Sequence, residues 1–294
     1  MSNVEVMSQA VDYIEDNLKG PITVADMAAA VSFSLYHFCR TFNQVTHHTP
    51  YDYLMRRRLA EAAGELLRTD KKIIDIACDC QFNNPETFSR AFRRVFGVQP
   101  NQLRKQGSLD SRLIMPRLTL AHLRHIARGI AVPALEERAG FRVAGLMSLI
   151  RPEQTAIAEL WELLAREMEN QAPRDPARFY GITTYPHGWE TRGYFYMAGF
   201  EAQDEELVDP ALVVKTIPPW KYARFVHTGL TQELPLTLDY IYHTWLPRSG
   251  QCLSYSWVIE HYERAFPDPA NEQAQVKLYI PLEPAQPTRD TAQA

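Results

Sequence analysis

The stretch "NNPETFSRAFRRVFGVQP", residues 83–100, contains the start, the stop and the periodicity of one short helix. Asn84 can cap the first turn and Pro85 suits the first helical position, whereas Gly97 ends the helix. Apolar residues recur at helical spacing and form one face of it. That apolar face consists of Phe88, Phe92, Val95 and Phe96, and the polar front carries Glu86, Ser89, Arg90, Arg93 and Arg94. The stretch predicts a helix with an apolar back and a basic front.

An earlier part of the chain repeats this pattern. The stretch "TVADMAAAVSFSLYHFCRTFNQVTHHTP" (23–50) aligns with "KIIDIACDCQFNNPETFSRAFRRVFGVQP" (72–100). Asp26 and Ala28 match Asp75 and Ala77 at an offset of 49 residues. At an offset of 50 residues, Phe38, Arg40, Phe42, Val45 and Pro50 match Phe88, Arg90, Phe92, Val95 and Pro100. The chain therefore contains one structural unit twice.

Each copy predicts a short helix, a tight turn and a second helix. In the first copy the helices cover 24–30 and 34–45, and in the second copy they cover 72–80 and 84–96. This is the helix-turn-helix pattern. A helix that starts at Thr49 and Pro50 connects the copies. Its length of about 18 residues corresponds to roughly 27 Å, which is close to the DNA helical turn of about 34 Å. We expect the second helix of each unit to enter successive major grooves of DNA.

Residues 5–106 resemble the DNA-binding domain of the AraC/XylS family of transcription regulators, above all in "PETFSRAFRRVFGVQPNQLRK". The resemblance implies an all-α domain over 1–106 with two helix-turn-helix units. It also implies double-stranded promoter DNA and RNA polymerase as partners, and a monomer or homodimer. The DNA-binding residues that it implies are Ser34, Leu35, Tyr36, Cys39 and Arg40 in the first recognition helix and Pro85, Glu86, Ser89, Arg90 and Arg94 in the second.

The sequence departs from the family pattern in its turns. Ser32 and Gln81 stand where the family usually has glycine, and His47 stands where the second unit has Gly97. These positions favour a positive φ, which costs a residue other than glycine about 1 kcal/mol. Arg56, Arg57 and Arg58 on the connecting helix leave two interpretations open, namely contacts to DNA phosphates or a solvated face with internal ion pairs.

Composition indicates two modules in a cytoplasmic protein. Of the 294 residues, 1–128 contain 17 Lys and Arg against 13 Asp and Glu, whereas the remainder contains 14 against 22. No apolar run reaches the roughly 20 residues of a membrane span, and no signal peptide opens the chain. The four cysteines lack zinc-ligand spacing, so we expect reduced thiols, no metal and no cofactor.

The second half of the chain predicts an α+β domain with an antiparallel sheet, since strand-like segments follow the order β-α-β-β and then β-α-β. It resembles the GyrI-like effector-binding domain over about 136–284, in "FRVAGL", "YGI", "FYMAGF", "YARFVHTG", "VIEHY" and "VKLYIPL". An AraC-type domain followed by a GyrI-like domain is the arrangement of Rob-type regulators. We expect a linker with some ordered structure over 107–134, a small-molecule-binding domain over 135–285 and a disordered tail over 286–294.

The resemblance implies that a small, drug-like molecule, often aromatic and cationic, binds in a cleft with a buried glutamate as counter-charge, a position held here by Glu260. A carboxylate flanked by apolar residues is costly to bury unless a cation or a donor meets it. The alternative is an exposed acid at a strand end. Further candidates for ligand binding are Trp161, Tyr194, Tyr196, Trp220 and Trp245.

These observations predict a DNA-binding transcription regulator that responds to a small effector. Two alternatives concern the second domain. It could be a hydrolase in which Glu260 and a tyrosine activate water, or a module that sequesters drugs or binds a protein. No nucleophile-base motif supports catalysis, so we expect no catalytic residues and no enzyme.

Overall fold

The computed structural model describes residues 1–151, 156–170, 178–186, 188, 192–202, 209–263 and 270–283. The chain divides into two compact units. The first consists of residues 1–130 and 235–248, and the second of residues 131–234 and 249–294. The expected disordered tail over 286–294 lies outside the described residues. Among the described helices, none combines the length and the apolar composition that a membrane span requires.

The first unit is helical, as predicted. Its elements before residue 130 are α1 (Asn3–Asp16), α2 (Val24–Ala30), α3 (Leu35–Thr46), α4 (Pro50–Arg68), α5 (Ile73–Asp79), α6 (Pro85–Phe96), α7 (Pro100–Gln106), a 3-10 turn (Ser111–Leu113) and α8 (Leu120–Ala127). The pairs α2/α3 and α5/α6 are the two helix-turn-helix units.

Local capping signals start and stop these helices. Thr23 and Asp26 form a capping box at α2. Asn84 accepts hydrogen bonds from the first turn of α6, and Gly97 ends α6 in the left-handed region at φ 75°. His47 ends α3 in the same way at φ 57°. A residue other than glycine therefore adopts the strained conformation that the sequence indicated.

Each helix-turn-helix unit has its own apolar core, and α4 contributes to both. Phe38 and Phe42 are buried in the first core with Tyr53 of α4. Phe88, Phe92 and Phe96 are buried in the second, together with Leu59, Ala62, Ala63 and Leu66 of α4. The repeated phenylalanines thus hold the recognition helices on the connecting helix, which leaves the polar fronts of α3 and α6 available.

Two of the three consecutive arginines at 56–58 of α4 have structural roles. Arg57 pairs through Nε and Nη2 with the carboxylate of Glu15, each at 2.9 Å, and donates to the carbonyl of Met115 at 2.8 Å. Arg58 donates to the carbonyls of Leu18 and Gly20 at 2.8 and 2.6 Å. Both side chains are buried. For these two residues the interpretation as internal contacts holds, and contacts to DNA phosphates do not.

Part of the expected linker over 107–134 packs into the first unit. Met115, Leu118 and Leu123 are buried in the core of the first helix-turn-helix unit. The peptide nitrogen of Leu118 donates to the hydroxyl of Tyr53 at 3.2 Å. Because burial in the core of the first unit removes these apolar side chains from water, the chain packs with that unit up to residue 130.

The second unit is built on one antiparallel sheet, which confirms the predicted α+β class. Its strands are β1 (Ala134–Arg138), β2 (Phe141–Ile150), β3 (Arg178–Thr184), β4 (Tyr194–Ala202), β5 (Val213–Ile217), β6 (Trp220–Thr228), β7 (Trp257–Glu263) and β8 (Gln275–Pro281). Their order across the sheet is β1-β6-β8-β7-β3-β4-β2-β5. Helix α9 (Ala156–Asn170) connects β2 to β3 and packs on β2 and β4.

Most of a helical segment between β6 and β7, residues 235–248, belongs to the first unit. It comprises α10 (Leu234–Tyr240), a π-helical turn (Ile241–Trp245) and α11 (Leu246–Ser249). His48 Nε2 is 3.0 Å from Thr244 Oγ1, and His125 Nε2 is 2.7 Å from Thr237 Oγ1. We expected this segment within the 135–285 domain. Its buried side chains instead pack with residues 1–130.

Candidate DNA interface and effector site

The first recognition helix, α3, presents an exposed apolar and basic front. Tyr36 is 77% exposed and Leu35 is 51% exposed, although both are large hydrophobic side chains. Arg40 is exposed one turn further along, and Cys39 is half-buried. The hydroxyl of Ser34 accepts a hydrogen bond from the peptide nitrogen of His37, so Ser34 also caps the helix. Exposed aromatic and aliphatic side chains beside an arginine suit contacts to thymine methyl groups and guanine.

The second recognition helix, α6, presents a more polar front. Pro85, Glu86, Arg90 and Arg94 are exposed, and Ser89 is half-buried. Arg90 occupies the position of Arg40 in the repeat, and both point away from the phenylalanine face. Arg57 differs, because it is 7% exposed and held inside the unit.

The turns before the two recognition helices share one geometry. Ser32 and Gln81 have φ of 58° and 63°. Phe33 N donates to Ala28 O at 3.0 Å, and Phe82 N donates to Ala77 O at 2.9 Å. These bonds close the same type of helix C-terminus with a left-handed residue. The repeat seen in the sequence is therefore a repeat of backbone structure, despite the absence of glycine.

The candidate effector site lies around Glu260 on β7. This side chain is 8% exposed. Its Oε2 accepts hydrogen bonds from the hydroxyls of Tyr196 at 2.7 Å and Tyr262 at 2.8 Å. Trp161 of α9 donates from Nε1 to the hydroxyl of Tyr196 at 3.1 Å. Residues of β4, β7 and α9 thus form one connected hydrogen-bond network around a single carboxylate.

Gly181 makes room for this network. It pairs with Glu260 across β3 and β7. A Cβ atom at this position would collide with the hydroxyl of Tyr196 and with Oε2 of Glu260. Glycine is therefore required because the carboxylate and the phenol lie directly over the β3 backbone. The motif "YGI" carried this signal in the sequence, but its role appears only once the strands are paired.

The electrostatics of Glu260 are those of a buried acid without a cation. Burial raises the pKa of Glu260, and the hydrogen bonds from Tyr196 and Tyr262 act in the opposite direction. No cation among the described residues contributes to the balance. Burial and the nearby carboxylate raise the pKa values of Tyr196 and Tyr262 well above their ordinary range, so both remain neutral donors. The network supplies hydrogen bonds but no positive charge.

Four of the predicted ligand-binding residues lie in one region. Trp161 packs edge-on against Tyr262 with ring centroids 5.5 Å apart. Burial and the charge of Glu260 both raise the pKa of Tyr194. Trp161, Tyr194 and Tyr196 therefore surround Glu260. Sequence reasoning missed Tyr262, although its position two residues after Glu260 places it on the same strand face.

The other two predicted residues lie elsewhere. Trp220 of β6 points to the opposite face of the sheet from Glu260, as the pairing of β6, β8 and β7 shows. Its Nε1 donates to the carbonyl of Leu282 at 2.8 Å. Trp245 lies in the π-helical turn and belongs to the first unit. Aromatic composition alone did not distinguish the two faces of the sheet, so we do not include these residues in the Glu260 site.

Comparison with known proteins assigns each half of the chain to a family. The Cass2 family of integron-associated effector binding proteins matches residues 134–282, and a helix-turn-helix domain family matches residues 27–106. Regulatory protein SoxS of Escherichia coli (strain K12) is 36% identical over 104 residues, which is 35% of this chain and 97% of SoxS.

Longer matches extend into the second half. Transcriptional regulator BrlR of Pseudomonas aeruginosa is 31% identical over 182 residues, or 61% of this chain and 66% of BrlR. The crystal structure of the integron cassette protein VCH_CASS2 from Vibrio cholerae is similar over 52% of this chain and 97% of its own, with 18% identity and a TM-score of 0.39. The chain therefore belongs to the AraC family and is a DNA-binding transcription regulator with a C-terminal effector-binding domain of the Cass2, GyrI-like type.

Proposed function

We propose that the effector is a small aromatic cation and that Glu260 is its counter-charge. One observation carries the proposal: a carboxylate that is buried among aromatic rings and that, within the described residues, accepts hydrogen bonds from neutral hydroxyls alone. Taking such a charge out of water is costly, and a ligand that brings a positive charge reduces that cost. The ligand would therefore bind with a free energy that depends strongly on its charge.

The rings around Glu260 define the rest of the ligand. Trp161, Tyr194, Tyr196 and Tyr262 would line the bound ligand with flat apolar rings that favour a planar molecule, and their π faces attract cations. The hydroxyls of Tyr196 and Tyr262 would give up part of their hydrogen bonding to Oε2 when the cation arrives. Recognition would thus combine stacking with a charge-assisted hydrogen bond.

On DNA, we propose that Arg40 and Arg90 each contact a base or a phosphate in the major groove. Leu35 and Tyr36 would contact thymine methyl groups or sugars, and Ser34, Cys39, Pro85, Glu86, Ser89 and Arg94 complete the surface. RNA polymerase would be the partner in activation. Both a monomer and a homodimer could bind DNA in this way. Because promoter DNA lies in the cytoplasm of bacteria, the protein would act in that compartment.

We propose that the second domain senses its ligand and does not convert it. The two tyrosine hydroxyls donate to the same oxygen of Glu260, so Oε2 is engaged as an acceptor by two neutral donors. The pKa values of these tyrosines are raised, which makes them poor bases at neutral pH. A hydrolase would need a water molecule positioned by the other oxygen of Glu260, Oε1, next to the bond that it cleaves.

Calorimetric titration of the full chain tests the charge dependence. The probes are 1-naphthylmethylammonium and 1-naphthalenemethanol, which share one ring system and differ in charge. We expect the cation to bind more tightly, and Glu260→Gln to weaken its binding at least about tenfold with little effect on the alcohol. Equal cation affinity in the variant and the wild type would refute the role of Glu260. Conversion of the cation by wild type, lost in the variant, would favour the enzyme.

A further inference from the structure

A second polar cluster lies on the face of the sheet opposite to Glu260. Its centre is Tyr279 of β8. The guanidinium carbon of Arg138 lies 4.5 Å from the ring centroid of Tyr279. The rings of Tyr222 and His261 lie 5.9 and 6.2 Å from the same centroid. Residues from β1, β6 and β7 therefore meet around one tyrosine.

These three residues have polar atoms with no partner in the described part of the chain. The atoms are Nη1 of Arg138, the hydroxyl of Tyr222, and both ring nitrogens of His261. Tyr222 is fully buried and His261 is 6% exposed. Buried donors and acceptors nearly always have a partner, because an unsatisfied group costs free energy. A cluster of such atoms indicates that something is normally bound there.

Arg138 brings a positive charge to the cluster. Arg138 donates from Nη2 to the hydroxyl of Tyr180 at 2.7 Å and lies over the ring of Phe141. On the same strands, Arg224 pairs with Glu136 at 2.8 Å. Arg138 has no such carboxylate among the described residues. A guanidinium in this position is a ready partner for a carboxylate.

The electrostatics of His261 support this assignment. Its ring stacks on Tyr180 with centroids 4.9 Å apart. Burial is the main cause that lowers the pKa of His261 to about 4, and the nearby cations Arg138, Lys277 and Arg178 lower it further. The carboxylate of Glu263 acts in the opposite direction. The positive surroundings of His261 would be partly neutralised by an anion next to Arg138.

A cleft of about 430 Å³ adjoins the cluster at Arg138. It is lined by Glu137, Arg138, Ala139, Pro219, Trp220 and Lys221. This volume lies in the range of small-molecule sites. Two of the lining residues are cationic and one is acidic. Trp220, which pairs with Arg138 across β1 and β6, provides an aromatic wall.

We propose that this cleft is a second effector site, which binds a small aromatic carboxylate. The carboxylate would meet Nη1 of Arg138, and the ring of the ligand would lie against Trp220. The proposed carboxylate contact is separate from Glu260, since Arg138 and Trp220 lie on the opposite face of the sheet. The two faces would therefore select ligands of opposite charge, and either site can exist without the other.

Titration of the full chain with 1-naphthoate tests the proposal, with 1-naphthalenemethanol as the neutral probe. We expect naphthoate to bind more tightly than the alcohol, and Arg138→Gln to weaken naphthoate binding at least about tenfold. Arg224→Gln is the matched control, because Arg224 is an arginine on the same sheet face but pairs with Glu136. That control should leave naphthoate affinity within about twofold.

Cross-tests separate the two sites and check folding. Arg138→Gln should still bind 1-naphthylmethylammonium, and Glu260→Gln should still bind naphthoate. If Arg138→Gln does not fold, Lys221→Gln is the second variant, because Lys221 lines the same cleft, and the expected loss is about threefold. The proposal would be overturned if naphthoate bound no better than the alcohol. It would also be overturned if naphthoate bound equally to the wild type and to the folded charge variants. Either result would leave water as the partner of the buried atoms.

Discussion

Gly181 shows how one missing side chain can define a site. The hydroxyl of Tyr196 and the carboxylate of Glu260 occupy the space that a Cβ would take. We expect Gly181→Ala to lower the free energy of unfolding by about 1–3 kcal/mol, as overpacking does, and to weaken cation binding by displacing Glu260. Thermal unfolding and calorimetry measure both. Gly20→Ala is the control, because a Cβ there makes only an ordinary contact at 3.4 Å.

Arginines on the same helical unit have two different functions. Arg57 is buried and paired with Glu15, whereas Arg40 and Arg90 are exposed on the recognition helices. We expect Arg57→Ala to lower the free energy of unfolding by about 3–5 kcal/mol, because it leaves Glu15 buried without a cation. Arg40→Ala or Arg90→Ala should instead lower DNA affinity by about 1–3 kcal/mol if the residue reads a base.

Melting temperature and DNA affinity, measured on the same variants, distinguish these roles. A uniform loss across DNA sequences would indicate a phosphate contact by Arg40 or Arg90. Unchanged DNA affinity in both variants would contradict the proposed docking. Unchanged stability in Arg57→Ala would contradict the structural assignment of that residue.

At the scale of the element, the turns of the helix-turn-helix units carry strain. Ser32 adopts a φ of 58° and is exposed, so little else constrains it. We expect Ser32→Gly to raise the free energy of unfolding by up to about 1 kcal/mol, and Ser32→Val to lower it, because a β-branched residue tolerates this region least. Denaturant unfolding measures both. Gln81→Gly should raise the free energy of unfolding by less, since the side chain of Gln81 also donates a hydrogen bond to the carbonyl of Lys19 at 2.6 Å. A stabilising Ser32→Val would refute the conformation.

At the scale of the whole molecule, each unit buries a histidine whose pKa lies far below its ordinary value. Burial is the main cause that lowers the pKa to about 4 for His243 of the first unit and for His261 of the second. A lowered pKa in the folded state means that the unfolded state binds the proton more strongly. The contribution of each neutral, buried histidine to the free energy of unfolding is therefore fully present above the unfolded pKa of about 6.5. It is lost as the pH falls toward 4.

For His243, which is almost completely buried, this loss amounts to about 3 kcal/mol. We expect thermal stability to fall between pH 6.5 and pH 4, and His243→Gln to show a shallower slope over that range than the wild type. The charged and titratable groups that act on His243 are Asp239, Arg56, His48 and His122. An unchanged slope in the variant would show that His243 is not the titrating group.

The sequence by itself determined the repeated helix-turn-helix units, the positions of their caps, the positive φ at Ser32, His47 and Gln81, and the class of the second domain. These features are local, because a cap or a turn depends on residues within about five positions of one another. The duplication then made the pattern unambiguous. Strand alternation likewise placed Glu260 and Tyr262 on one face, although the sequence did not reveal that both belong to one network.

Only the tertiary structure decided which side chains meet. It turned Arg57 and Arg58 inward, separated Trp220 and Trp245 from Glu260, packed residues 235–248 with the first unit, and gathered Arg138, Tyr222 and His261 around Tyr279. Each of these facts depends on residues that are tens of positions apart and become neighbours through sheet register or helix packing. Sequence periodicity reports which face a residue occupies, but the partner across that face is set by the packing of the whole chain.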